Sequence, residues 1–240
     1  KCEQYMIDLK WSTEDTGRIL ANKILTYYET INPKDEKIRK IRRWYPASQA
    51  QVFNLVFNGK LPWGTQHLDP YRPIHILSAG RPRWAAQLCK MAAADAYKKN
   101  SDIISIGHIN AIMFAYGKYR LSDLYKEHSH QCPQLKHVIE SFRNGQKAYR
   151  SDDLLSYIEK KVISNTNDPI SIEDVTATTP LDIAHFLYRI GFITLDDNSF
   201  DNGESFIRFE DVPDLLIPSN YNSNDLWAIH PSYRAILHLK

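Results

Sequence analysis

The clearest structural signal in the chain lies in Thr179–Leu195, which has the sequence TPLDIAHFLYRIGFITL. Thr179 is a preferred residue for capping a helix, and Pro180 suits the first helical position, where no N–H is needed. The apolar residues that follow recur at the spacing of one helix face: Ile183, Phe186, Leu187 and Ile190. Gly191 is typical of a helix end, and residues 192–195 have the composition of a strand. The segment therefore predicts a helix that leads directly into a strand.

The segments on both sides of this helix predict the other elements of the C-terminal part. Upstream, Ser151 begins a second helix with acidic residues at its positive end. Ser171–Val175 is interpreted as one short turn of helix. Downstream, Ser205–Phe209 predicts a second strand, joined to the first by a polar loop that contains Asp201-Asn202-Gly203. The predicted elements are therefore a helix, a short helix, a helix and a small β-hairpin wing. This is the order of a winged-helix domain, which we expect at residues 151–240.

The rest of the chain is predicted to be mainly helical. Ser78–Lys99 indicates a helix with Pro82 in its first turn, and helical spacing recurs around Leu20 and Ile109. The proline-rich segment Leu61–Pro73 predicts a loop, and the alternation from Tyr5 to Trp11 predicts a short strand. The expected fold class is therefore mainly α, with a helical domain at residues 1–150 followed by the winged helix.

The charge distribution supports this division into two domains. The 240 residues contain 30 Lys+Arg and 28 Asp+Glu, which gives a net charge of +2. Residues 1–149 contain 23 basic and 13 acidic residues, a balance of +10, whereas residues 150–240 contain 7 and 15, a balance of −8. Such an asymmetry predicts two units with a boundary near Tyr149.

Composition restricts the class of protein. A hydrophobic fraction of 43% and an aromatic fraction of 12% are enough for a packed core. No apolar run of about 18 residues is present, so we expect no membrane-spanning helix, and no signal peptide is visible. Cys2, Cys89 and Cys132 cannot form a disulfide framework, which favours a reducing compartment, the cytoplasm. Because the chain begins at Lys1 and its first methionine is Met6, we expect a processed product or a piece of a longer protein.

The glycines exclude two common nucleotide-binding motifs. None of the nine glycines belongs to a G-x-G-x-x-G pattern, the dinucleotide-binding fingerprint. A phosphate-binding loop requires Gly-Lys followed by Ser or Thr, whose hydroxyl holds magnesium. The two Gly-Lys pairs are followed by Leu61 and Tyr119 instead. We therefore expect no catalytic residues in this chain and no hydrolysis of ATP by the chain alone.

One junction resembles a family of nucleotide-binding proteins. Ile76–Trp84, with the sequence ILSAGRPRW, resembles the start of the lid helix in bacterial P-loop ATPases of the AAA+ and STAND type. In that group a Gly-x-Pro or Gly-x-x-Arg element opens a helix that lies against the nucleotide. Gly80 with Pro82 matches the first form, and Gly80 with Arg83 matches the second. Tyr188–Ile193 is also similar to that group, in which a winged-helix domain follows the lid.

The resemblance implies that this chain is the regulatory C-terminal region of such an ATPase, with residues 1–150 as a lid-like domain. It implies nucleotide binding by four residues: Gly80, Arg81, Pro82 and Arg83. ATP and magnesium would be bound only through an ATPase core upstream of Lys1, which would be the chief partner beside other subunits of an oligomer. Kinship further implies a regulated switch, and several members of the group serve bacterial defence against phage.

Arg81 and Arg83 have a physical reason to bind phosphate as well. Helix N-termini attract anions, and guanidinium groups form bidentate, charge-assisted hydrogen bonds. The alternative interpretation is a pair of surface residues near a turn, since arginine is common near helix starts.

A basic segment supports an alternative function, nucleic-acid binding. Five basic residues lie beside Trp44 and Tyr45: Lys37, Arg39, Lys40, Arg42 and Arg43. Basic residues next to aromatic rings can bind phosphates and bases. However, Ile38 and Ile41 alternate with the charges as on an amphipathic helix, which favours a solvated helix face. A third alternative is a protein-interaction scaffold.

The helix after Thr179 is expected to expose Asp182, His185 and Arg189 on one face. This face is roughly neutral within a unit of charge −8, so DNA binding there would oppose the phosphate field. Packing against another domain or subunit is the favoured role.

Two further patterns are given a structural interpretation. His128, His130 and Cys132, with His137 nearby, lack the familiar spacing of a four-ligand zinc site, so no metal site is expected. Asp196 and Asp197 come at the end of a predicted strand, a position where acidic residues can bind magnesium. Because no phosphate-binding loop lies upstream, these residues are interpreted as part of the wing hairpin.

Overall fold

The computed structural model describes residues 11–44, 49–166, 168–176, 179–196 and 206–240. The chain forms two compact units, Lys1–Ile112 and Met113–Lys240. The predicted domain boundary at residue 150 falls inside the second unit, between a strand and the helix that follows it. About 52% of the chain is helical, which confirms the mainly α fold class. Within the described residues, no helix is both long and apolar enough to cross a bilayer.

The first unit is built from helices and a small hairpin. Its elements are α1 (Thr13–Ile31), α2 (Glu36–Trp44), α3 (Gln49–Phe53), β1 (Leu61–Trp63), β2 (Gln66–Leu68), α4 (Tyr71–Leu77) and α5 (Pro82–Lys98), and it contains the start of α6 (Ile106–His128). α1 begins with a capping box, in which the Asp15 N–H donates to the Ser12 hydroxyl and the Ser12 N–H donates to the Asp15 carboxylate. α1 packs against α2, α3, α4 and α5, and its buried face includes Leu20, Ala21 and Leu25.

The loop predicted at Leu61–Pro73 is wrong, because this segment holds a hairpin and the start of α4. β1 and β2 are antiparallel, with Leu61 opposite Leu68. Gly64 takes φ +56° in the turn, a left-handed conformation that glycine reaches without steric cost. Pro62 is tolerated because a two-stranded hairpin leaves outward-facing N–H positions without partners.

The second unit continues α6 and adds a sheet surrounded by short helices. Its further elements are α7 (Leu135–Glu140), β3 (Ala148–Arg150), α8 (Ser151–Tyr157), a π-helical segment (Ile158–Ile163), β4 (Ser171–Ile172), β5 (Val175–Thr176), α9 (Pro180–Arg189), β6 (Ile193–Asp196), β7 (Phe206–Ile207), β8 (Leu226–Ile229) and α10 (Pro231–Arg234). The helices predicted from Ser151 and Thr179 are confirmed. Gly191 takes φ +69° after α9, as expected for a residue that ends a helix.

A four-stranded antiparallel sheet forms the centre of the second unit, in the order β3-β8-β6-β7. β8 pairs with β3 on one side, where Trp227 lies opposite Tyr149, and with β6 on the other. β6 and β7 pair through Leu195 and Ile207, so the two strands predicted after Gly191 do form a pair. The polar loop predicted between them, Asp201-Asn202-Gly203, lies outside the described residues.

The short helix predicted at Ser171–Val175 is wrong, because β4 and β5 form a hairpin there. Ile172 lies opposite Val175, and the turn residues Glu173 and Asp174 have φ of +52° and +63°. Two successive left-handed residues make the tight turn that suits the twist of a two-residue hairpin. The hairpin is attached to the unit by the Glu173 N–H, which donates a hydrogen bond to the Gln131 carbonyl at 2.8 Å.

Trp227 connects the sheet to the start of α8. Its side chain is 1% exposed, and its indole N–H donates to the Ser151 hydroxyl at 3.0 Å. The Ser151 hydroxyl in turn donates to the Asn222 carbonyl at 2.6 Å. These bonds satisfy buried polar groups and fix β8 beside the helix, so the sheet and α8 are held in one arrangement.

Candidate functional sites

The Ile76–Trp84 segment forms a tight reversal between α4 and α5. α4 ends at Leu77, and both Ala79 and Gly80 then take left-handed conformations, with φ of +49° and +68°. The Gly80 N–H donates to the His75 carbonyl at 2.9 Å, which closes the last turn of α4. Gly80 is buried, and because glycine has no side chain it adopts its left-handed conformation in this tight turn without steric cost.

Arg81 and Arg83 lie at the start of α5, with Pro82 in the first turn as predicted. Both arginines are exposed, and Arg81 occupies the capping position. The Arg81 guanidinium carbon lies 4.4 Å from the centroid of the Trp84 ring, within the range of a cation–π contact. Trp84 is only 7% exposed, so this ring is a fixed support for Arg81. Arg83 has no side-chain hydrogen bond or ion pair with any described residue.

The first turn of α5 contains no acidic residue, and its start has no side-chain cap, because Arg81 makes no capping hydrogen bond with its side chain. The Arg83 N–H is at a helix start, where intrahelical acceptors are missing. The positive end of a 17-residue helix and two guanidinium groups therefore coincide at one place. Such an arrangement can bind phosphate oxygens.

The predicted basic segment forms α2. Ile38 is 3% exposed, whereas Lys37, Arg39 and Lys40 are exposed, as expected for an amphipathic helix. The Asp35 carboxylate accepts a hydrogen bond from the Lys37 N–H at 2.8 Å at the start of the helix. The side chains of Arg42, Arg43 and Trp44, and all of Tyr45, lie outside the described part of the chain.

The histidines and cysteine considered as metal ligands have other contacts. The His128 Nδ1 lies 2.8 Å from the Gln131 Oε1, and the His137 Nε2 lies 3.1 Å from the Val162 carbonyl oxygen. Cys132 is fully buried, and burial raises the pKa of its thiol to about 11. Among the residues that the structure describes, no three His, Cys, Asp or Glu side chains form a group able to hold a metal ion.

A cleft of about 720 Å³ lies along α9 in the second unit. Its walls come from α9, the π-helical segment, the β4–β5 hairpin and residues 216–218. The apolar part of its lining includes Ile172, Val175, Leu181, Phe186, Leu216 and Ile217. Asp182, His185 and Arg189, the residues predicted to share one face of α9, all line this cleft.

Acidic groups dominate the electrostatics of the cleft. The Arg189 guanidinium forms an ion pair with Glu173 at 2.8 Å, so its charge is compensated. It also lies over the Phe186 ring, 5.3 Å from the centroid. Glu159 and Asp182 are exposed residues of the lining and add two negative charges. The α9 face that looked neutral in sequence is therefore acidic once its neighbours are included.

His185 adds no positive charge to the cleft at neutral pH. Burial lowers the pKa of its imidazole, and the adjacent Arg189 lowers it further. The ring packs edge to face against Phe209, with 5.7 Å between centroids. Its Nδ1 is buried without a hydrogen-bond partner among the described residues. The neutral form is therefore favoured because protonation would place a charge in a partly desolvated site.

Comparison of the chain with known protein families, with curated protein sequences and with solved structures gives no match. The functional assignment therefore depends on the contacts and charges of its own residues.

Proposed function

We propose that this chain is the regulatory C-terminal region of a cytoplasmic, bacterial P-loop ATPase of the AAA+ or STAND type, in which it senses the bound nucleotide. The observation that carries the proposal is the N-terminus of α5, where exposed Arg81 and Arg83 flank Pro82 just after the left-handed Gly80. Two cations, a backbone angle fixed by proline and an uncapped helix end occur together there. A role as a switch in defence against phage is part of the same proposal, because several members of the group that the chain resembles have that role.

The role of the turn follows from charge and geometry. An upstream core would supply the phosphate-binding loop and the magnesium ligands, and ATP with magnesium would be bound there. Arg81 and Arg83 would then contact phosphate oxygens, each through charge-assisted hydrogen bonds that contribute about 1.5–3 kcal/mol. Because Pro82 fixes the backbone angle at the start of α5, contact with phosphate positions the whole helix. Loss of a phosphate group would remove that restraint.

The topology of the second unit supports the proposed winged helix. In chain order it contains α7, β3, α8 with its π-helical extension, the β4–β5 hairpin in place of the expected short helix, α9, and then the antiparallel strands β6 and β7. β8 returns between β3 and β6, so the last strand lies beside the first. A small sheet with helices before and between its strands is the arrangement that a winged helix requires.

The proposal is tested by comparing this chain with a longer parent protein that includes the upstream segment. We expect the chain alone to hydrolyse no ATP, because a phosphate cradle and magnesium ligands are both needed for hydrolysis. The longer protein should bind and hydrolyse ATP. Steady ATP turnover by the purified 240-residue chain, abolished by a point substitution within it, would contradict the proposal.

A further inference from the structure

The cleft along α9 has apolar side chains that a partner can reach. Val175 on the β4–β5 hairpin is 66% exposed, although it faces a concave site. Leu181 and Ile217 are partly exposed, and Phe186 is buried at 2% exposure beneath them. A volume of about 720 Å³ is large enough for several side chains of a bound peptide. Exposed apolar groups around such a cleft are typical of an interaction site.

The charge of the cleft restricts the kind of occupant. Glu159 and Asp182 lie in the lining, and the Arg189 side chain is already paired with Glu173. The second unit as a whole, residues 113–240, carries a balance of −5, from 13 basic and 18 acidic residues. This field repels the phosphates of nucleic acid and attracts basic side chains. His185 is neutral, so it does not oppose a cationic partner.

We propose that the α9 cleft is a docking site for a basic amphipathic protein segment, in which large apolar side chains alternate with Lys or Arg. The apolar side chains would contact Val175, Leu181 and Ile217, and the basic side chains would lie near Glu159 and Asp182. Charge complementarity selects this occupant, and the apolar lining supplies affinity. The proposal concerns residues of the second unit alone and does not depend on nucleotide binding at the start of α5.

A synthetic peptide, EKIRKIRRW, is a suitable probe because it alternates isoleucine and tryptophan with basic residues. Its sequence is that of Glu36–Trp44, which as a free peptide exposes both its apolar and its basic side chains. We expect the labelled peptide to bind the full 240-residue chain in a fluorescence anisotropy titration. A control peptide in which every Lys and Arg is replaced by Glu should not bind.

Two substitutions at exposed positions locate the binding site. Val175→Lys removes an apolar side chain from the wall and places a positive charge there, and Glu159→Lys reverses a negative charge of the lining. Each should weaken binding of the basic peptide by about fivefold, which corresponds to about 1 kcal/mol, the upper end for an exposed charge pair. The matched control is Asp168→Lys, which makes the same change of charge at an exposed residue outside the lining. It should change the affinity by less than about twofold.

Circular dichroism of each variant tests whether the fold is retained. We expect it to be retained because both substituted side chains are exposed. The proposal is overturned if the peptide does not bind, or if Val175→Lys and Glu159→Lys bind it as the unsubstituted chain does. It is equally overturned if duplex DNA binds the chain at physiological salt and the same two substitutions change that affinity.

Discussion

Helices α5 and α9 begin with the same residue and yet have opposite chemistry at their N-termini. Pro82 and Pro180 both occupy the first turn. In α9 the preceding Thr179 forms a capping box with Asp182, in which each side chain accepts a hydrogen bond from the other residue's N–H. In α5 the preceding residue is Arg81, which forms no side-chain capping bond.

This difference shows that a proline start does not by itself make an anion site. Asp182 already places a negative charge at the positive end of α9, so a phosphate there would meet repulsion. The N-terminus of α5 has Arg81 and Arg83 instead, and its first turn contains no carboxylate. α9 is instead suited to contacts along its side, where Leu181, His185 and Arg189 line the cleft.

The largest expected effect is that of removing a cation from the start of α5. In the proposed longer ATPase, Arg83→Ala should weaken nucleotide binding roughly 10- to 150-fold, because a charge-assisted bond of about 1.5–3 kcal/mol is lost. Arg83→Lys should restore only part of the affinity, since a point charge cannot copy the planar guanidinium. Isothermal titration with ATP measures both. Arg81→Ala is expected to have a smaller effect of the same sign.

The matched control is Lys90→Ala, which removes an exposed cation from the same helix away from its N-terminus. It should leave the affinity unchanged within about twofold. If the Arg81 and Arg83 alanine variants both bind nucleotide as the unsubstituted protein does, the turn has a structural role only.

Removing the cap of α9 should cost stability. Thr179→Ala deletes the hydroxyl that accepts the Asp182 N–H, and we expect the free energy of unfolding to fall by about 1 kcal/mol, within a range of about 0.5–2. Urea denaturation followed by circular dichroism measures the change. Thr179→Ser keeps the hydroxyl and should remain close to the original stability. Equal losses in both variants would show that the methyl group matters rather than the cap.

Giving α5 the charge pattern of α9 should separate stability from function. Arg83→Glu places a carboxylate at the positive helix end, which typically contributes about 0.3–1 kcal/mol to stability. We therefore expect a slightly higher midpoint of urea denaturation for the 240-residue chain. In the proposed longer ATPase the same substitution should abolish nucleotide sensing. A lower midpoint would mean that Arg83 already stabilises the helix.

The smallest expected effect is a dependence of stability on pH through His185. Its pKa in the folded protein is lowered from 6.5, so the unfolded chain binds more protons at mildly acidic pH. Stability from this group is present above pH 6.5 and is lost as the pH falls through that value toward the folded pKa. Urea denaturation at pH 7 and pH 5 should show a smaller loss for His185→Gln. An unchanged loss would assign the pH dependence to other groups.

The helices α5 and α9 were predictable because their signals are local. Thr179, Pro180 and Gly191 mark the two ends of α9 within a dozen residues, and both ends are confirmed. Pro82 likewise marked the start of α5. The charges of Arg81 and Arg83 follow from the sequence alone, but the support of Arg81 by the Trp84 ring required coordinates.

The hairpins and the sheet were not predictable in the same way. β8 is a central strand, and it exists because β3 and β6, far away in the chain, supply hydrogen-bond partners on both sides. β4 and β5 are only two residues long each, too short for alternation to be recognised. Leu61–Pro73 was predicted to be a loop because of its prolines. The edge strand of a hairpin tolerates proline as well, so composition alone does not distinguish the two.

The local sequence was therefore sufficient to specify the two ends of α9, the place of Pro82 in the first turn of α5, the basic residues beside it and the charge asymmetry of the chain. Capping, periodicity and formal charge depend on neighbours within about one helical turn or on simple counting. Long-range packing was needed for the sheet order and for the α9 cleft. The cleft brings together Glu159, Val175, Asp182 and Leu216, whose separation along the chain hides their proximity. The cleft is acidic because folding places Glu159 and Asp182 near Arg189, whose charge is compensated by Glu173. No local sequence pattern shows this arrangement.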